Sequence, residues 1–173
     1  MPDVSARYRR PATSSPPRTG ERVALNLRLL VVSEDFATGL RAADVAGAIG
    51  RGLRQGGLPA PDLLPLPGRR RPPDRLRALL DQERVQARML ASRALVVATA
   101  SLRPRTLPAS AAFELATRAR QGGVPAYAIA GEDALDSFQA RILDLQLILE
   151  ASSPRSLAAA GRKLAGEVLA GIR

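Results

Sequence analysis

Apolar positions along the chain fall into short continuous runs, separated by longer stretches with helical spacing. Leu27 to Val32 is aliphatic apart from Arg28, the length and composition of a strand buried on both faces. From Ala42 to Leu53 the pattern changes: Val45, Ile49 and Leu53 recur at helical spacing, and Gly56-Gly57 ends the segment. Leu63-Leu64-Pro65-Leu66 reads as a short strand at a sheet edge, where proline is tolerated. The stretch GRRRPP, residues 68 to 73, is a linker by composition. Asp74 then caps a helix predicted to run to about Leu90, with Leu76, Leu79, Leu80 and Val85 on one side.

The same alternation continues to the end of the chain. Ala94 to Ala98 is a third strand, and Pro108 to Gln121 a helix closed by Gly122-Gly123. Pro125 to Ala130 is a fourth strand, Ala134 to Arg141 a short helix, and Leu145 to Leu149 a fifth strand. Ser153 caps a last helix that Pro154 opens and that runs to about Ala170. Five apolar strands alternating with helices predict one three-layer α/β domain, residues 23 to 173, with a mostly parallel sheet.

In such sheets ligands sit beyond the carboxyl ends of the strands, at a point where the strand order reverses. The residues expected at that edge are Ser33, Glu34, Asp35, Thr38 and Gly39 after the first strand. Thr99, Ser101, Arg103, Arg105 and Thr106 follow the third, and Gly131, Glu132 and Asp133 the fourth. The two acidic pairs are oxygen ligands of the kind Mg²⁺ takes, and Arg103 and Arg105 suit a phosphate or carboxylate. A plainer reading stands beside this one: Asp35 or Thr38 caps the second element, and Glu132 or Asp133 caps the short helix near Ala134. Neither GxxxxGK[ST] nor GxGxxG occurs.

Composition narrows the chemistry. The chain has no Cys and no His, which excludes disulfides, thiolate or imidazole metal sites and His general bases. Its net charge of +10 invites a nucleic-acid reading, yet 25 of the 26 basic residues are Arg and they are spread along the chain. Aromatics are only 3%, too few for a base-stacking platform. Nucleic acid is therefore the least favoured partner. Residues 1 to 22, rich in Pro, Ser and Arg, read as a disordered tail without a signal-peptide core. No run approaches the ~20 apolar residues of a membrane span, so the expected location is cytoplasmic.

Residues 29 to 66, LLVVSEDFATGLRAADVAGAIGRGLRQGGLPAPDLLPL, resemble the amino-terminal segment of the bacterial glycerate kinase (glycerate 2-kinase) family. There a strand enters a D-S-F-K-G-S-L turn, followed by an A-x-E-V-A-x-A-I helix and an edge strand ending in P-L. Three later stretches resemble that family's carboxyl-terminal segment: SRALVVATASLRPRTLPASA, GGVPAYAIAG and SSPRSLAAAGRKLAGEVL. The resemblance implies a flavodoxin-like or Rossmann-like outer domain whose usual inserted second domain is missing, replaced by residues 68 to 73 and one helix.

It also implies lost chemistry. The family's turn lysine aligns with Ala37 and the following glycine with Thr38, while Glu34, Phe36 and Leu40 keep the pattern. Its G-E-G triplet aligns with Ala98-Thr99-Ala100, the next acid with Arg103, and a glutamine with Arg105. Phosphoryl transfer relies on positioned charge, so these departures favour a non-catalytic descendant that binds a ligand or a partner. An active glycerate kinase or related phosphotransferase, using ATP and Mg²⁺, is the alternative, and a basic nucleic-acid-associated protein the second. A domain stripped of its companion is expected to expose apolar surface and to form a homodimer or bind a dedicated protein partner.

Overall fold

The computed structural model describes residues 26–36, 39–68 and 71–172. The expectations for the 1–22 tail, Ala37, Thr38, Arg69 and Arg70 lie outside the described residues. Strand β1 (Leu29–Glu34) leads into α1 (Ala42–Gln55) and β2 (Asp62–Leu66). Next come α2 (Pro73–Gln82), α3 (Val85–Leu90) and β3 (Ala94–Thr99). A 3₁₀ turn, Leu107–Ala109, precedes α4 (Ala111–Gln121), followed by β4 (Ala126–Ala130), α5 (Ser137–Ile142), β5 (Leu145–Glu150) and α6 (Pro154–Ala170). The five strands form one parallel sheet in the order β2-β1-β3-β4-β5. That is the flavodoxin-like doubly wound order, with its reversal between β1 and β3.

Alternate residues of the central strands face two separate cores, as the period-two geometry of a strand requires. Leu30, Val32, Leu95 and Val97 pack with α2, α3 and α4. Leu29, Val31, Val96 and Ile129 pack with α1 and α6. With no Trp and few other aromatics, closeness replaces bulk on the second face. A Cβ added at Gly52 would sit 2.0 Å from the carbonyl oxygen of Ala158, and one at Gly161 2.5 Å from that of Ile49. The backbones of α1 and α6 thus touch where only glycine fits.

Three expected helices differ from those observed, and the one expected from Pro108 begins at Ala111 after a 3₁₀ turn, with Ser110 as its cap. The helix expected to reach Leu90 is two helices, because Arg84 takes a left-handed conformation (φ 55°) between them. Pro72, and not Asp74, occupies the N-cap position of α2; Asp74 lies in its first turn. The helix expected from Ala134 begins at Ser137, where Asp136 accepts the Gln139 N–H and the Gln139 side chain accepts the Asp136 N–H. The carboxyl-terminal helix has the expected Ser153 cap and Pro154 first turn. No helix among the described residues is long and apolar enough to cross a membrane.

The glycine contact predicts opposite effects from one kind of substitution. Gly52→Ala should lower stability by about 1–3 kcal/mol, the usual penalty of overpacking. Gly166→Ala, in α6 with nothing within 4 Å of the added carbon, should be neutral or stabilising by up to about 1 kcal/mol. Thermal or urea denaturation of the two variants checks this, and equal effects would contradict the contact.

Candidate functional site

The strand order brings the carboxyl ends of β1 and β3 side by side, and a cleft of about 310 Å³ opens there. Glu34 and Asp35 line it from β1, Thr99 and Ser101 from β3, and Arg103 and Thr106 from the turn that follows. These residues, far apart in sequence, are together because parallel strands all end on the same side of the sheet.

Much of the polar chemistry at this edge holds the protein together. The Thr99 hydroxyl, nearly buried, donates to Glu34 Oε2 at 2.8 Å. Ser33, fully buried, donates its hydroxyl to the Ala42 carbonyl at 2.7 Å. Asp35 uses both carboxylate oxygens on backbone donors: the Ala42 N–H at 2.7 Å and the Gly68 N–H at 2.9 Å. It therefore caps α1 from seven residues upstream, where the N-cap residue Arg41 supplies no side-chain bond. The Ala42 hydrogen bond, then that from Gly68, holds the Asp35 carboxyl below its ordinary pKa, helped by the charges of Arg41 and Arg71.

The remaining expected residues divide. Arg103 reaches the cleft and pairs with Glu132 at 2.6 Å across the exposed rim. Arg105 is exposed and is not among the residues lining the cleft. Gly131 and Asp133 also lie outside its lining and act structurally. A Cβ at Gly131 would come 2.6 Å from the Ala100 carbonyl oxygen, so the β3 and β4 loops meet there. Asp133 accepts the Leu135 N–H, so neither it nor Glu132 caps the short helix, which Asp136 does. Gly39, at φ 82°, shapes the β1–α1 loop away from the cleft lining, and Thr38 is outside the described residues.

The cleft also contains groups that the sequence reading did not place there. Arg71 comes from the stretch read only as a linker, and Ser110 from a position read as helix interior. Ser110 is the true cap of α4, accepting the Phe113 N–H at 3.1 Å. A serine directly before a first turn that carries Glu114 was the available signal. Nothing comparable marked Arg71, since its position follows from β2 lying beside β1.

The two acidic pairs do not combine into a metal centre. No group of three or more Asp or Glu suited to a metal ion occurs among the described residues, and both Asp35 oxygens are committed to backbone donors. The residues present therefore do not fit Mg²⁺ as a resident ion.

No family model matches the chain. No curated protein matches it either. Among solved structures it is similar to a diflavin flavoprotein A3 from Nostoc sp. at 12% identity, TM-score 0.48, covering 83% of this chain and 94% of that one. It is likewise similar to a flavodoxin from the domain Archaea at 11% identity, TM-score 0.47, covering 83% and 99%.

The bonds to Asp35 give a pH prediction. A folded-state pKa below the unfolded one contributes stability above the ordinary value of 3.8, and that contribution is lost as pH falls through the folded value. Asp35→Ala should thus lose on the order of 1 kcal/mol at pH 7, as for a lost helix cap. The difference from wild type should shrink steadily below pH 3.8 in urea titrations. A difference that stays constant from pH 7 to pH 2 would show that the carboxylate does not act through these bonds.

Proposed function

We propose that this chain is a single-domain, cytoplasmic relative of the glycerate kinases that binds a small anion at the switch-point cleft and transfers no phosphoryl group. The observation that carries the reading is the use of Asp35: both oxygens are spent on the backbone of Ala42 and Gly68. Beside it, Glu34 accepts the Thr99 hydroxyl, and Arg103 is paired with Glu132. Carboxylates committed to capping are poor candidates for holding Mg²⁺ or activating a hydroxyl. The absence of a lysine in the Glu34–Leu40 turn points the same way, since charge stabilisation is most of what phosphoryl transfer needs.

What supports anion binding is the other half of the lining. Arg71 and Arg103 bring guanidinium groups to the cleft and Ser101 a hydroxyl, whereas the Thr106 and Ser110 hydroxyls donate to the Arg103 and Leu107 carbonyls. Planar guanidinium groups suit phosphate and carboxylate oxygens, and the Ser101 hydroxyl adds a further donor. The cleft is sized for a small ligand; a nucleotide would fill it and project beyond.

The test is a thermal-shift titration with inorganic phosphate, D-glycerate, ADP-Mg²⁺ and ATP-Mg²⁺, alongside an assay for ATP-dependent phosphorylation of D-glycerate. Phosphate or D-glycerate at 100 times its Kd should add about 2.7 kcal/mol, raising Tm by roughly 5–10 °C. Arg71→Ala and Arg103→Ala should each reduce the shift, and no phosphoryl transfer should be detected. Transfer from ATP to D-glycerate that Glu34→Ala abolishes would replace this reading with an active kinase. Absence of a shift with all four ligands would remove the anion site.

A further inference from the structure

The two helix layers carry their charge differently. On the face covered by α2, α3 and α4, Arg77, Arg88 and Arg118 pair with Glu114, Asp62 and Asp81. On the face covered by α1 and α6, every basic residue of the two helices is exposed: Arg51, Arg54, Arg155, Arg162 and Lys163. None of the five makes an ion pair or a side-chain hydrogen bond among the described residues. The two acids of these helices stand toward opposite ends, Asp44 in the first turn of α1 and Glu167 in the last turn of α6.

These cations are scattered in the sequence and gathered by the fold. A Cβ at Gly52 would lie 2.9 Å from the Arg162 nitrogen, and one at Gly56 3.0 Å from the Arg162 carbonyl oxygen. Arg162 therefore stands level with the turn of α1 that follows Arg51 and contains Arg54. Both helices follow strands of one parallel sheet, and Arg155 to Lys163 covers about 12 Å of helix axis. Small residues, Ala159 and Gly166, occupy other exposed positions of α6. The large apolar side chains exposed among the described residues are Leu63, Leu90, Phe138 and Ile142, and none is on α1 or α6.

We propose that the outer face of α1 and α6 binds the phosphate backbone of a nucleic-acid duplex without reading its sequence. A duplex presents one negative charge per ~1.7 Å of its axis, and closely spaced Arg and Lys are the groups that neutralise it. Other occupants call for groups that this face lacks. An interfacial membrane helix inserts Trp, Phe or Leu, and a protein interface is anchored by apolar or aromatic side chains at its centre. A single strand stacks its bases on aromatics, which backbone contacts to a duplex do not need. Residues 1 to 25, with five Arg and two acids, add to the positive charge and do not neutralise it. The inference is independent of what the cleft binds.

Fluorescence anisotropy on the full chain, with a labelled DNA duplex of about 20 base pairs, reads this directly. Five phosphate contacts give a log–log salt slope of about −4.5, so affinity should fall about 500-fold between about 50 and 200 mM salt. A second duplex of unrelated sequence should bind equally. Arg51→Ala with Arg162→Ala, and separately Arg54→Ala with Lys163→Ala, should each make the slope shallower by about 2 with an unchanged circular dichroism spectrum. Arg75→Ala with Arg141→Ala removes the same charge from exposed positions on the opposite face and should leave the slope as it is. An equal loss from this control pair would reduce the effect to net charge and overturn the proposal. Undiminished binding by both α1–α6 variants would place the contact elsewhere, and no binding at about 50 mM salt would remove it. Binding to phosphatidylserine vesicles in preference to the duplex would assign the face to a lipid surface and overturn the proposal as well.

Discussion

The backbone contact between α1 and α6 decides how the sheet is covered. In this strand order the first crossover runs one way from β1 and all later ones run the other, so α1 stands on one face and α2 to α5 on the opposite face. Among the described residues the only other helix on the α1 face is α6. Gly52, Gly56 and Gly161 allow α6 to close on α1 over the central strands. A helix held there cannot also lie along β5. The small residues that complete the core of β1, β3 and β4 therefore leave the last strand partly bare. Core packing and the unprotected edge have one cause.

The same reversal of direction creates the cleft. It separates the loops that follow β1 and β3, and such a gap is where ligands of doubly wound folds sit. Here the gap is crossed by bonds that serve the fold. Asp35 ties the start of α1 to Gly68 beyond β2, and Glu34 ties β1 to β3 through Thr99. Arg103 and Glu132 join the loops after β3 and β4, which also pair through Leu102 and Asp133. These bonds fix the loops around the cleft, at whose rim the Arg103 side chain stays exposed.

All five strands and the final helix were legible in the sequence, because buried parallel strands are continuous apolar runs and Ser153-Pro154 is an unambiguous helix start. The break at Arg84 was not, since a left-handed arginine has no compositional signature and the apolar spacing continues across it. Asp136 was missed as a cap because Glu132 and Asp133 offered carboxylates nearer the expected start. At the site, residues contributed by β1 and β3 could be placed from strand ends alone. Arg71 could not, because only the position of β2 brings it in. Arg105 failed for the opposite reason: proximity in sequence to Arg103 does not determine on which side of a turn a residue projects.

Two polar residues at the cleft have partners within the fold that account for their presence there. Thr99 carries a nearly buried hydroxyl whose proton goes to Glu34. Arg103 pairs with Glu132. Hydrogen bonding and ion pairing within the chain let these carboxylates stand together at one edge, because a crowded carboxylate is tolerated only when it is paired. On the proposed reading, the cleft was rebuilt from the inside: the acids that remain were given structural work, and the basic groups left at the rim define what can still bind.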